Sequence, residues 1–255
     1  MTHHIWLLVG NDKLYQHPKQ EMKRVLDVGT GTGIWAIDFA DEHPEAYVIG
    51  VDLSPIQPVW VPPNSAFEVD DLEKGWTFTL PFDFIFFRSM IGSFRDWKKM
   101  VFRAFQNLEP GGYVEIQDNL YPLLGNDDTI QRTNILRWSE LMVKAADAIG
   151  RPINVARDFK SMLAEAGFVD IVETKERVPM NRWPKDRRYK ELGQWSCEML
   201  SRGLEGISMD LLTRGLDMPA DEVHVLLAGV RQDLLNTAIH GYWDTYGPSQ
   251  TKRQV

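Results

Sequence analysis

Cysteine is almost missing: Cys197 is the single thiol in 255 residues, which excludes an internal disulfide and any zinc site built on several cysteines. Such a chain suits a reducing compartment. Long apolar runs are also lacking. No stretch of about 18 apolar residues occurs, and Ile5 to Val9 is too short and too poor in flanking basic residues to form the apolar core of a signal peptide. The expected location is the cytoplasm, or the nucleus for a regulatory role. Positive charge is the scarcer sign, with 28 Lys and Arg against 36 Asp and Glu and a net charge of −8, so the overall field repels phosphate backbones and anionic lipid. Neither nucleic acid nor a membrane is an expected partner. Internal repeats and low-complexity tracts are lacking too, which leaves one α/β domain over residues 1–255 as the expected organisation.

What is present is an alternation of short apolar runs and helical patterns. Val25 to Val28, Tyr47 to Val51, Phe67 to Val69, Phe82 to Phe87 and Gly112 to Gln117 read as five strands. Ile34 to Asp41 and Trp97 to Leu108 carry apolar residues at helical spacing. Strands separated by helices pair in parallel through right-handed crossovers. The rhythm then changes. Asp127 to Ile149 and Val155 to Ala166 read as helices, Phe168 to Thr174 as a sixth strand, and Ala238 to Gly247 as a last one. Residues 175–237 between them look mainly helical, and an insertion there is expected to form a lid above the carboxyl ends of the strands, with the core over about 23–174 and 238–247.

The first strand runs into "DVGTGTG", where Gly29, Gly31 and Gly33 alternate and Asp27 precedes them. Alternating glycines allow a sharp turn and a close backbone approach to a ligand, and the following helix offers free N–H groups at its positive end. The dinucleotide fingerprint needs a small residue where this chain has Ile34, and no Lys-Ser or Lys-Thr follows for a phosphate-binding loop. Asp27 would repel a pyrophosphate and attract an ammonium. A ligand carrying an ammonium and a carboxylate therefore fits both ends of the turn. Asp52, 19 residues after Gly33 at the end of the second strand, is placed to accept both hydroxyls of a ribose. In "FEVDDLEKGW", Asp71 is placed to accept from an adenine amine with the Leu72 N–H serving the ring, and Asp70 is the alternative acceptor one residue earlier.

The stretches "VLDVGTGTGIWAIDFADEHP", "VIGVDLSPIQPVWVPPN", "FEVDD", "FDFIFFRSMIGSFRDW" and "LEPGGYVEIQD" resemble, in order, the motifs of class I S-adenosylmethionine-dependent methyltransferases. The resemblance extends over roughly residues 3–247 and is strongest to the fungal LaeA-like branch found around secondary metabolism. It implies a Rossmann-like seven-stranded sheet, mostly parallel, in the order 3-2-1-4-5-7-6 with the seventh strand antiparallel. It also implies S-adenosyl-L-methionine as cofactor, with S-adenosyl-L-homocysteine as product. Asp27, Gly29, Thr30, Gly31 and Gly33 would surround the methionine part, Asp52 and Leu53 the ribose, and Asp71 with Leu72, or Asp70, the adenine. The implied activity is methyl transfer to a small-molecule acceptor, with a cofactor-binding regulator or a non-methylating enzyme such as a cyclase as alternatives. Members of that branch carry a longer region ahead of the first strand, whereas residues 1–24 precede Val25 here. The cover over the site is thus expected to be thin, completed by the lid or by a second subunit of a homodimer, and a regulatory branch member would add a protein partner.

Methyl transfer is an in-line displacement that asks mainly for positioning and desolvation, with a base only where the acceptor must lose a proton. The candidates for that base are His240 in the last strand and Glu115 or Asp118 near the end of the fifth. Arg88, following "FDFIFF", either holds an anionic group of substrate or cofactor or ties down its own loop. Trp183, Tyr189, Trp195, Tyr242, Trp243 and Tyr246 are candidates for an aromatic acceptor pocket. "NRWPKDRRYK", Asn181 to Lys190, is one basic cluster in an acidic chain and reads first as a solvated connection. His3 and His4 have no evident third ligand, and no metal is expected.

Overall fold

Apolar runs that are hydrophobic on both faces must be covered on both, and the computed structural model, which describes residues 1–18 and 21–253, meets that need with a sheet between helices. β1 (Arg24–Val28), β2 (Tyr47–Asp52), β3 (Ser65–Val69), β4 (Phe82–Arg88) and β5 (Leu108–Asn119) pair in parallel. β7 (Phe168–Pro179) and β8 (Gly241–Arg253) complete the sheet, β8 running antiparallel between β5 and β7. The resulting order, β3-β2-β1-β4-β5-β8-β7, is the expected one once the last two long strands are counted sixth and seventh. A two-residue strand that the pattern did not suggest, β6 (Leu124–Gly125), adds to β8.

One face of the sheet packs on α1 (Thr2–Val9), α2 (Ile34–Glu42) and the segment between α1 and β1. There Trp35 stacks on Phe86 at 4.0 Å between ring centroids, and Phe39 leans on Phe84. The other face packs on α3 (Trp97–Gln106) and α5 (Phe159–Ala166), which supply Trp97, Met100 and Phe159 to a core with Ile85 and Phe87. Fully burying an aromatic or branched side chain stabilises by roughly 1.5–3 kcal/mol, so these two layers hold the sheet.

A third apolar core lies among α4 (Asn134–Ala148), α6 (Arg187–Leu216) and α7 (Ala220–Leu235) and reaches the sheet through Trp243. Trp138 of α4 sits fully buried in it, with Nε1 donating to Ser208 Oγ of α6 at 2.8 Å. α6 also packs on α1, through Leu192 against Ile5 and Val178.

The expected boundaries change at several places, and three of them bear on the helices and the lid. The helix expected over Asp127 to Ile149 divides into a 3-10 turn at Asp128–Ile130 and α4, because Arg132 adopts φ +61° and Thr133 then caps α4 by accepting from Leu136 N. Val155 to Ala166 divides likewise into a 3-10 turn, Val155–Asp158, and α5. Lys175 to Pro179, read as the start of the helical insertion, continues β7: Lys175 lies over the Tyr246 ring and Arg177 over the Tyr242 ring, cross-strand cation–π pairs at 4.4 and 4.7 Å. A charged, alternating edge strand resists further pairing, and that alternation carries no sign of a helix.

Replacing Trp138 by alanine leaves a cavity at the centre of the three-helix core, and the expected loss is about 3–5 kcal/mol in urea unfolding monitored by circular dichroism. A loss near zero would mean that α4, α6 and α7 do not share this core.

Candidate active site

The turn after β1 is set by the backbone of β2. Gly29 N and Thr30 N both donate to Val51 O, at 2.8 and 3.0 Å, and Gly31 N donates to Asp52 Oδ2 at 2.8 Å. Gly29 and Gly33 adopt φ +70° and +78°, and a Cβ at either would come within 2.4 Å or less of Met90 Sδ or the Phe67 ring. Glycine is therefore required there by conformation and by space together. Gly31, also at positive φ, has nothing within 4 Å of a notional Cβ and faces open space.

The carboxylate of Asp52 is held from both sides, since Ser54 N donates to Oδ1 at 3.0 Å while Gly31 N occupies Oδ2. Each oxygen keeps a further lone pair. Asp52 borders a cavity of about 270 Å³ together with Leu53, Asp70, Asp71 and Leu72, the expected ribose and adenine residues, and with Gly29 of the turn. Asp70 Oδ1 accepts from Asp71 N and Asp71 Oδ1 from Glu73 N, so both acids shape the loop they stand on. Ser89, Met90, Ser93 and Phe94, from the loop after β4, close the other side.

Asp27 is placed differently from the expectation. Strand alternation puts Val28 at the cavity and Asp27 on the opposite face, where it is 3% exposed and accepts from Thr30 Oγ1 at 2.6 Å. Burial pushes its carboxyl up to about 6, against the Thr30 hydrogen bond and the nearby Arg88 charge. Arg88, on that same face, takes the loop-tying alternative in modified form. Its Nη2 lies 2.8 Å from His3 Nδ1, so it fastens α1 to the sheet. Burial brings the guanidinium down to about 10. His3, held to about 4 by burial and by Arg88, is neutral, and its Nε2 lies 3.0 Å from Asp38 Oδ2 without the alignment of a hydrogen bond. His4 packs edge-on against Trp195.

The three candidate bases are dispersed. Glu115 lies under the N-terminal segment, accepting from Gln16 N at 2.9 Å and Gln117 Nε2 at 2.7 Å, and burial pushes it up to about 7. His240 precedes β8 instead of lying in it and binds Asp127 Oδ2 through Nδ1 at 2.6 Å, beside Trp183. Asp118 accepts from Met90 N and Ile91 N, both at 2.7 Å, and burial carries it to about 7 despite those donors. It thereby positions the loop that borders the cavity without bordering the cavity itself.

That loop separates two spaces. Beyond Ser93, which borders both, lies a second cavity of about 360 Å³ lined by Ile91, Tyr121, Met142, Ile153, Ile207 and Leu211. Arg151 on its wall pairs with Glu73 on the wall of the first at 2.8 Å and also donates to Ser93 O. These residues were missed in the sequence; "RSMIGSF" after the fourth strand was the signal available. The expected aromatic pocket does not assemble. Trp183, Tyr189 and Tyr242 border a separate cleft of about 380 Å³ beside β7, Tyr246 joins the core, and Trp243 joins the three-helix core. In the basic cluster, Asp186 caps α6 and Arg188 donates to Leu8 O, so the segment is a structural connection. α6, inside the expected lid, packs on α1 and borders the second cavity through Ile207 and Leu211.

A family profile described as "Methyltransferase domain" matches residues 11–173. The methyltransferase pytC of Aspergillus terreus is 38% identical over 247 residues, covering 96% of this chain and 76% of that protein. A secondary metabolism regulator of Cochliobolus heterostrophus is 37% identical over 264 residues, covering 97% of this chain and 85% of that one. Among solved structures, a phosphoethanolamine N-methyltransferase 2 of Haemonchus contortus in complex with S-adenosyl-L-methionine has a TM-score of 0.56 at 19% identity, covering 99% of this chain and 52% of that chain. The [4+2]-cyclase SpnF also has a TM-score of 0.56, at 17% identity, covering 99% of this chain and 80% of that one. These two likenesses are to the fold.

The buried acids make a pH prediction. A carboxyl raised in the folded state binds its proton more tightly there than when unfolded, so its contribution is full below about pH 4 and is lost as pH rises through about 7. Glu115→Gln should therefore flatten the decline in unfolding free energy between pH 4 and 8, measured by urea titration at several pH values. An unchanged slope would remove Glu115 as a contributor.

Proposed function

This chain belongs to the methyltransferase domain family, and from that premise we propose that it is an enzyme that methylates a small, mainly apolar acceptor of secondary metabolism with S-adenosyl-L-methionine. The observation that carries the proposal is the pair of adjoining cavities on either side of the loop after β4, one at the carboxyl ends of β1 to β4 and edged by acids and backbone amides, the other apolar. The first fits the cofactor's nucleoside. Asp52, with a free lone pair on each oxygen, would hold the ribose hydroxyls, Asp71 or Asp70 with Leu72 N–H the adenine, and Leu53 the ring face. The turn from Gly29 to Gly33 would receive the amino-acid tail on its backbone, with Asp27 and Thr30 bracing it from beneath. When bound, S-adenosyl-L-methionine supplies an electrophilic methyl group on a sulfonium.

The chain's own residues then position and desolvate. Ser93, Met90 and Ile91, fixed by the Asp118 side chain, stand between donor and acceptor spaces, and α6 adds Ile207 and Leu211 to the apolar wall of the second. Burial and the nearby Asp118 raise the Tyr121 phenol, so at neutral pH it is a hydroxyl that can donate and not a base. His240 and Glu115 stand away from both cavities, and the reading that follows is an acceptor that reaches the site already nucleophilic. A second reading, a cofactor-binding regulator acting through a protein partner, is favoured by the 37% identity to the regulator.

Incubation with methyl-labelled cofactor and a fungal metabolite extract tests the choice. Label in small molecules supports the enzyme; label in protein alone, or none across extracts, overturns it. Asp52→Ala should weaken binding of S-adenosyl-L-homocysteine by about 1–3 kcal/mol in titration calorimetry. Unchanged affinity in the folded variant would refute the ribose assignment.

A further inference from the structure

Behind the apolar cavity lies a smaller chamber of about 60 Å³, and the two share Tyr121 and Ile207 as walls. α1 closes the chamber with Thr2, Ile5 and Trp6, and β8 contributes Trp243 and Thr245. Trp243 is 5% exposed, and its Nε1 is buried with no hydrogen-bond partner. Two neighbouring donors are committed elsewhere: Trp6 Nε1 donates to Ser89 Oγ at 2.9 Å, and Thr245 Oγ1 to Glu176 O at 2.9 Å. An orphaned buried N–H is uncommon and costly, and it calls for an acceptor in the space beside it.

We propose that this chamber is a subsite for a neutral carbonyl oxygen of the acceptor molecule, received by Trp243 Nε1–H while the apolar body fills the larger cavity. The inference rests on the methyltransferase reading and gives its substrate a chemical class: an apolar ketone, ester or quinone. An indole N–H can only donate, so its complement is an acceptor. A carboxylate is disfavoured because the nearby cations are engaged, Arg151 with Glu73 and Arg88 with His3. Charge left without a counter-charge in an apolar pocket would be costly, whereas a neutral carbonyl needs one donor.

The test is a titration of the protein with 2-nonanone, 1-nonene and nonanoate, followed in proton–nitrogen correlation spectra. The indole resonance of Trp243 is identified by its loss in Trp243→Phe, or by triple-resonance assignment of the wild type if that variant does not fold. The ketone should move that resonance downfield, and the hydrocarbon and the carboxylate should not. Trp243→Phe should weaken 2-nonanone, read from neighbouring amides, about fivefold, the worth of one neutral hydrogen bond. Ile207→Trp, on an exposed position of the shared wall, should abolish the shift. An indole resonance that ignores the ketone, or that answers the hydrocarbon equally, overturns the subsite. S-adenosyl-L-homocysteine added to the same sample reports the other cavity through Gly31 N–H, so failure of the cofactor reading and failure of the carbonyl subsite are seen separately.

Discussion

Val51 O and the Asp52 carboxylate together receive Gly29, Thr30 and Gly31, three successive amides of the turn after β1. That clasp joins two neighbouring parallel strands at their carboxyl ends and holds a backbone at positive φ that no longer side chain could adopt cheaply there. Without it the helix α2 would have no defined start, since Gly33 is its cap. The cavity would also lose the edge on which Asp52 stands. The same carboxylate that would receive a ribose is thus part of the scaffold that presents it.

Asp118 plays the corresponding part on the other side of the site. Two amides of the loop after β4 converge on one of its oxygens, and the loop so held divides the first cavity from the second. Burial favours the neutral acid while the backbone donors favour the carboxylate, and the balance leaves the group at about 7. A group poised in this way is a positioning element: its value to the chemistry lies in where it keeps Met90 and Ile91.

The opposite face of the sheet carries a row of buried ionisable groups, Asp27, Arg88 and Glu115, with α1 tied to Arg88 and the segment after α1 donating to Glu115. A neutral His3 accepts from Arg88 and thereby links the first helix to the central strand. α1 in turn meets α6 and closes the small chamber around Trp243. The two helices thus meet at the small chamber, with Ile207 of α6 on the wall that it shares with the larger apolar cavity.

Much of this was legible from residue order. Strand positions, sheet class, the glycine turn and the acids at the ends of β2 and β3 follow from local pattern, because side-chain period and backbone conformation are properties of neighbouring residues. Long-range placement is another matter. Whether Arg88 reaches an anion or His3, and whether Glu115, Asp118 and His240 meet in one place, depend on contacts between residues scores of positions apart. The aromatics of the last third were visible as a group, yet their partition among two cores and an edge cleft was set by how β7 and α6 pack. What the sequence alone determined was the fold and the glycine turn after β1, both encoded locally. The larger apolar cavity and the unpartnered indole of Trp243 were decided only when loops and helices distant in the chain closed on one another.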